Sequence, residues 1–134
     1  MNAENSNVYQ LLEELLDWVE PVLDRLPKTL SLQELGKKAE QDILNSMDLI
    51  GFAFKAPHGI ERLRYIDALI VHMTDLKTIF RRIRRRSKIR DPRVLTSEQY
   101  AMFITLMHPI STEVGRWRAS NAGECSPGSS YRRK

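Results

Sequence analysis

Apolar residues in this chain recur every three or four positions nearly from end to end, and no segment keeps the two-residue alternation of a half-buried strand. Val8, Leu12, Leu15, Val19, Val22 and Leu26 predict a first helix from Ser6 to Leu26. Pro21 lies inside it and removes one backbone donor, so a kink or break is expected there. Leu11, Leu16, Trp18 and Leu23 widen the apolar stripe to half the circumference, more than the roughly 100° a core-facing helix commonly shows. Two explanations stay open: a deeply buried helix, or an extra edge that meets another subunit.

Pro27-Lys28-Thr29-Leu30 is a short connector, after which Ser31 and Glu34 form a capping-box pattern that opens a second helix reaching Lys55. Leu32, Leu35, Ala39, Ile43, Met47, Ile50 and Phe54 mark its face, and Pro57-His58-Gly59 ends it. A third helix from Ile60 to Arg90 carries Leu63, Ile66, Ile70, Met73, Leu76, Phe80 and Ile83, and Asp91-Pro92-Arg93 breaks it. Thr96 and Gln99 make another capping box, with Leu95 placed to staple onto Tyr100. The fourth helix shows Tyr100, Phe103, Ile104, Met107, Ile110, Val114 and Trp117 on one side, with a second candidate kink at Pro109. Four long amphipathic helices with short connectors predict an all-α fold, the up-down-up-down antiparallel four-helix bundle, over residues 1–120. Residues 121–134 turn to Gly, Ser, Pro and Arg and are expected to form a disordered basic tail.

Composition adds mainly exclusions. The 134 residues suffice for one domain with its own core, and not for two. The single Cys125 rules out a disulfide framework and a cysteine-based zinc site. The opening residues lack a basic flank before an apolar run, and no apolar stretch reaches 18 residues. A soluble, cytoplasmic protein with no membrane association is therefore expected. Phosphate-binding glycine loops, nucleophile elbows and His-Glu-x-x-His pairs are missing from the sequence. His58, His72 and His108 are scattered over a loop and two helices and build no obvious metal pair, so no metal, cofactor or enzymatic activity is expected.

The charges are distributed unevenly. Residues 1–58 carry a net charge of −5 and residues 59–134 a net charge of +9, which points to a polyanion partner or to unlike surfaces meeting in self-assembly. The positive half centres on the end of the third helix: Lys77, Arg81, Arg82, Arg84, Arg85, Arg86, Lys88, Arg90 and Arg93. On a helical projection Lys77, Arg81, Arg85 and Lys88 oppose Leu76, Ile79 and Ile83, with Arg82 and Arg84 at the margins. Arg86 and Arg90 fall where the apolar stripe would continue, so from about Arg84 onward no face suited to a core is expected. Favourable charge at a helix C-terminus accounts for one or two cations. Nine within seventeen residues exceed that, because like charges four residues apart repel. Guanidinium groups dominate the cluster and suit bidentate phosphate contacts. Arg116 and Arg118 could extend the patch, although antiparallel packing would separate the two groups. Ile83 and Ile89 are too little apolar surface for an interfacial lipid helix. A rival use of the cations is contact with the acidic first helix of a neighbouring subunit, through Glu13, Glu14, Asp17, Glu20 and Asp24.

Over residues 8–118 the chain resembles the accessory variability determinant (Avd) proteins of diversity-generating retroelements. The resemblance rests on Tyr9, on Trp-Val-Glu-Pro-Val (residues 18–22) followed by Leu26-Pro27-Lys28, and on Leu35-Gly36. The basic third helix, Thr96-Ser97-Glu98-Gln99-Tyr100 and Glu113-Val114-Gly115-Arg116 complete it. It implies a basic homopentamer that associates with the reverse transcriptase and with template RNA or cDNA, aiding mutagenic copying without catalysing it. The nucleic-acid role would then fall on the third-helix cations, and Gly115-Arg116 would approach a neighbouring subunit. The family's usual aliphatic and small residues after Gly-Arg are replaced here by Trp117-Arg118-Ala119-Ser120. The bundle proteins encoded within intervening sequences of ribosomal RNA genes are a second resemblance, implying a structural homo-oligomeric scaffold.

Overall fold

In the computed structural model, which describes residues 6–89 and 94–125, four helices follow one another: α1 (Asn7–Asp24), α2 (Leu30–Lys55), α3 (Ile60–Ile89) and α4 (Ser97–Cys125). Each packs on its neighbour in sequence and α4 closes back on α1, so that α1 and α3 stand diagonally opposite, as do α2 and α4. Contacts across the seams fix the directions. Arg86 near the end of α3 meets Ser31 at the start of α2, and Arg118 near the end of α4 meets Asp67 near the start of α3. The molecule is the up-down-up-down four-helix bundle that the apolar spacing predicts.

The interior is apolar along its length. Leu12, Leu15, Ile43, Ile50, Ile66, Leu76, Phe103 and Ile110 are among the side chains fully withdrawn from solvent. Phe80 stacks on Phe103 with ring centroids 4.0 Å apart, and Trp18 reaches across the diagonal to within 6.4 Å of Phe80. The wide stripe of α1 is used inside the bundle: Leu11, Leu16, Trp18 and Leu23 are half-buried and packed against the core. None of the large exposed apolar side chains (Leu30, Leu44, Phe52, Ile60, Val71, Met102 and Ile104) lies on α1.

Two helix starts are capped by side chains. The Ser6 hydroxyl accepts from the Tyr9 amide at 3.1 Å, and Thr96 and Gln99 exchange the reciprocal bonds of the expected capping box. The start of α2 departs from expectation. It begins at Leu30 behind Thr29, which makes no side-chain cap. Ser31 lies within the first turn, where its hydroxyl accepts from Arg86 instead. Both helices containing an interior proline, α1 with Pro21 and α4 with Pro109, continue through it. The carbonyls each proline leaves without an amide belong to Asp17 and Thr105, both at exposed positions where water can take the bond.

Two expectations near the C-terminal ends are corrected. α4 runs past residue 120 to Cys125, while residues 126–134 lie outside the described part. Its extension is anchored by the buried Asn121, whose Oδ1 accepts the Gly59 amide at 3.0 Å and whose Nδ2 donates to the Trp117 carbonyl. Gly59 has φ 105°, a left-handed conformation that suits glycine, and this turn between α2 and α3 aims its amide at Asn121. In addition, α3 keeps a buried face beyond Arg84. Ser87 is fully buried and follows Leu76, Phe80 and Ile83 on the inner stripe. Its hydroxyl donates to the Leu95 carbonyl at 2.9 Å and accepts from the Leu95 amide at 3.0 Å, which pins the α3–α4 connection. Apolar periodicity alone misses this, because the residue that continues the stripe is polar.

Ser87→Ala should leave the buried Leu95 amide without an acceptor and destabilise the fold by about 1–3 kcal/mol. Chemical denaturation would show this as a lowered midpoint with an unchanged slope. A midpoint equal to that of the parent would mean that the pin carries no weight.

Candidate nucleic-acid interface

Burial of Ile66, Leu69, Met73, Leu76, Phe80, Ile83 and Ser87 orients α3. The opposite face must then carry the cations. Arg81, Arg82 and Arg85 are exposed and Lys77 is half-buried. Among the described residues none of these four makes a hydrogen bond or an ion pair with a carboxylate. Lys77, Arg81 and Arg85 follow at four-residue intervals, a rise of about 6 Å per step along the helix. They form a ridge of like charges whose mutual repulsion is worth a few tenths of a kcal/mol per pair.

The remaining predicted cations are placed differently. Arg84 is half-buried and its Nη1 donates to the Leu95 carbonyl at 2.7 Å, so it belongs to the same pin as Ser87. Arg86, exposed, donates to the Ser31 hydroxyl and ties α3 to α2. The Lys88 side chain and the whole of Arg90 and Arg93 lie outside the described residues. Arg116 and Arg118 are both engaged, Arg116 with Glu113 at 3.2 Å and Arg118 with Asp67 at 2.7 Å. Asp67 lies fourteen residues before Arg81 on α3, about 20 Å along the axis. The structure therefore does not bring this pair together with the ridge.

The acidic counterpart stands on the far side of the bundle. Glu13, Glu14, Asp17, Glu20 and Asp24 are exposed on α1, diagonally opposite α3. Crowding of like charges raises the Glu20 carboxyl above its ordinary value. Contact with the Glu40 carboxyl is the chief cause, followed by burial and the charges of Glu40, Asp17 and Asp24. A shallow cleft between α1 and α2 is lined by Gln10, Glu13, Glu14, Leu16, Asp17 and Met47. Cationic and anionic surfaces thus face away from each other.

One polar cluster escaped the sequence reading. Asp42 is buried in the α2–α3 seam, with its Oδ1 2.9 Å from Nδ1 of His72. Its other oxygen is buried with no hydrogen-bond donor. The Asp42 carboxyl is raised to about 6, chiefly by burial and next by the neighbouring Asp75 carboxyl, against the opposing pull of His72. A signal was present: Asp42 occupies an inner position of α2 beside Ala39 and Ile43, and Asp75 follows His72 by three residues. Ser46 is committed to the Asp42 carbonyl at 2.7 Å. Among the described residues no set of three His, Cys, Asp or Glu side chains is arranged to hold a metal ion. At the other end of the seam Arg62 donates to the Ala53 and Ala56 carbonyls at 2.8 and 2.9 Å and closes the end of α2. Among the described residues no helix is long and apolar enough to cross a membrane.

Comparisons with protein-family models, curated proteins and solved structures found no match to this chain.

The two kinds of arginine should separate in mutagenesis. Arg84→Ala removes a charge-assisted bond to a buried carbonyl and should lower stability by about 1–2 kcal/mol. Arg81→Ala and Arg85→Ala should stay within about 0.5 kcal/mol of the parent, because they break no contact and relieve repulsion. Thermal unfolding followed by circular dichroism distinguishes them. Equal losses at Arg81 and Arg84 would mean that the ridge has an internal partner.

Proposed function

We propose that this protein is a non-enzymatic nucleic-acid-binding accessory factor of a diversity-generating retroelement, working in the cytoplasm beside a reverse transcriptase on template RNA or cDNA. One observation carries the nucleic-acid part of this reading. Lys77, Arg81, Arg82 and Arg85 share the outer face of α3, and among the described residues no carboxylate pairs with them. Guanidinium forks on a rigid helix suit phosphate oxygens. The face carries no aromatic side chain on which a base could stack, so backbone contacts without sequence preference are the expected mode. The retroelement and reverse-transcriptase parts rest on the resemblance to the Avd proteins over residues 8–118. The homopentamer implied by that resemblance would set several copies of the ridge side by side. Gly115, exposed and with open space where a Cβ would stand, leaves room for the close approach expected there.

A second reading, a structural homo-oligomeric scaffold, is favoured by the placement of opposite charges on opposite sides of the bundle. A head-to-tail arrangement would set the acidic face of α1 against the basic face of α3 in the next copy.

Reversal of Arg81 and Arg85 to Glu separates the two. The accessory reading expects affinity for a mixed-sequence RNA to fall roughly 100-fold, with helicity and oligomer mass unchanged. The scaffold reading expects the oligomer mass to collapse. Salt gives a second measure. With four cations releasing counterions, log affinity for duplex should fall with log salt at a slope of about −3 to −4. A flat response would remove phosphate contact as the binding force.

A further inference from the structure

We propose that the seam between α2 and α3 contains a structural proton, held between the carboxyl groups of Asp42 and Asp75, and that the seam loosens when this proton is lost. This stands independently of the nucleic-acid reading. The argument begins from an unmatched acceptor. Asp42 is 6% exposed, and one of its carboxylate oxygens is sealed from solvent with no donor facing it. Its first oxygen is served by His72 at 2.9 Å, and the hydroxyl of Ser46, on its own helix, is already given to the Asp42 backbone carbonyl. The carboxyl that acts on it from α3 is that of Asp75, which is another acceptor. Two ionised carboxylates side by side repel, and the burial of Asp42 leaves that repulsion less screened than between two exposed groups. One proton turns the same contact into an O–H···O bond and satisfies both groups.

The charged environment of Asp42 is simple. From α3 it meets Asp75 and His72, and among the described residues no titratable group of α1 or α4 acts on it. Asp75 favours protonation of Asp42 and His72 opposes it, and burial weights the outcome toward the protonated form, near pH 6. A carboxyl raised in the fold keeps a proton that the unfolded chain has already released. Its stabilising contribution is therefore present at low pH and declines as pH rises from the ordinary value of 3.8 to about 6, then stays lost. This runs opposite to the usual salt-bridged carboxylate.

Side-chain carboxyl carbon resonances of the full-length protein, titrated from pH 4 to 8, provide the direct test. The proposal expects one Asp signal with a midpoint near pH 6, absent in Asp42→Asn and moved to lower pH in Asp75→Asn, which removes the neighbouring carboxyl but leaves Asp42 buried. The exposed Asp75 position makes the second variant safe for folding. In parallel, the melting temperature of the parent should drop by about 3–6 °C between pH 5 and pH 7.5 relative to Asp42→Asn, and Asp75→Asn should show a smaller drop than the parent. Amide exchange, corrected for its intrinsic pH dependence, should rise around residues 40–46 and 70–76 in the parent and not in Asp42→Asn. Ordinary midpoints near pH 4 for every aspartate would overturn the proposal. So would parallel melting curves for parent and Asp42→Asn across the range.

Discussion

Burial of one stripe of α3 between α2 and α4 governs both the fold and the site. Leu76, Phe80, Ile83 and Ser87 are withdrawn from solvent, and Phe80 stacks directly on Phe103 of α4. A helix held so firmly on one side cannot rotate to bring its cations toward internal carboxylates. Lys77, Arg81, Arg82 and Arg85 consequently point away from the core, on a rigid backbone, with no carboxylate partner among the described residues. The acidic side chains that could have matched them stand on α1, across the diagonal. The bundle is therefore electrically two-faced. That property follows from helix order and helix rotation together, and neither composition nor net charge determines it.

The architecture was largely readable from apolar spacing. Three- and four-residue steps located all four helices, and the Thr96–Gln99 pair marked the start of α4 because that signal is local and reciprocal. Failures occurred where a polar side chain performs a tertiary task. Ser31 resembled a cap yet serves Arg86, fifty-five residues away. Asn121 appeared to belong to a polar tail, but its partner, the Gly59 amide, is sixty-two residues away. Ser87 continues the buried stripe while looking like an interruption of it. A one-dimensional pattern records hydropathy, and these residues are buried through hydrogen bonding.

The basic cluster was legible as a cluster, whereas its division was not. Nine cations near the end of one helix look equivalent in sequence. In three dimensions Arg84 is a structural donor to a buried carbonyl and Arg86 laces α3 to α2, while on α4, apart from the nine, Arg118 pairs with Asp67. The helical projection had already set Arg81 and Arg85 apart from Arg84, but it could not indicate that Leu95 would present a carbonyl to the latter. Sorting cations by what they already bind leaves a shorter ridge, more sharply defined than a count of positive residues would give.

The Nε–Hε resonances of the arginines, followed while a short RNA is titrated into the full-length protein, test the central claim most directly. If the unpaired outer face of α3 meets phosphate, the signals of Arg81, Arg82 and Arg85 should shift or become protected. Those of Arg84, Arg116 and Arg118 should hold their positions. Shifts confined to Arg116 and Arg118, or no shift at concentrations where RNA is bound, would contradict the account.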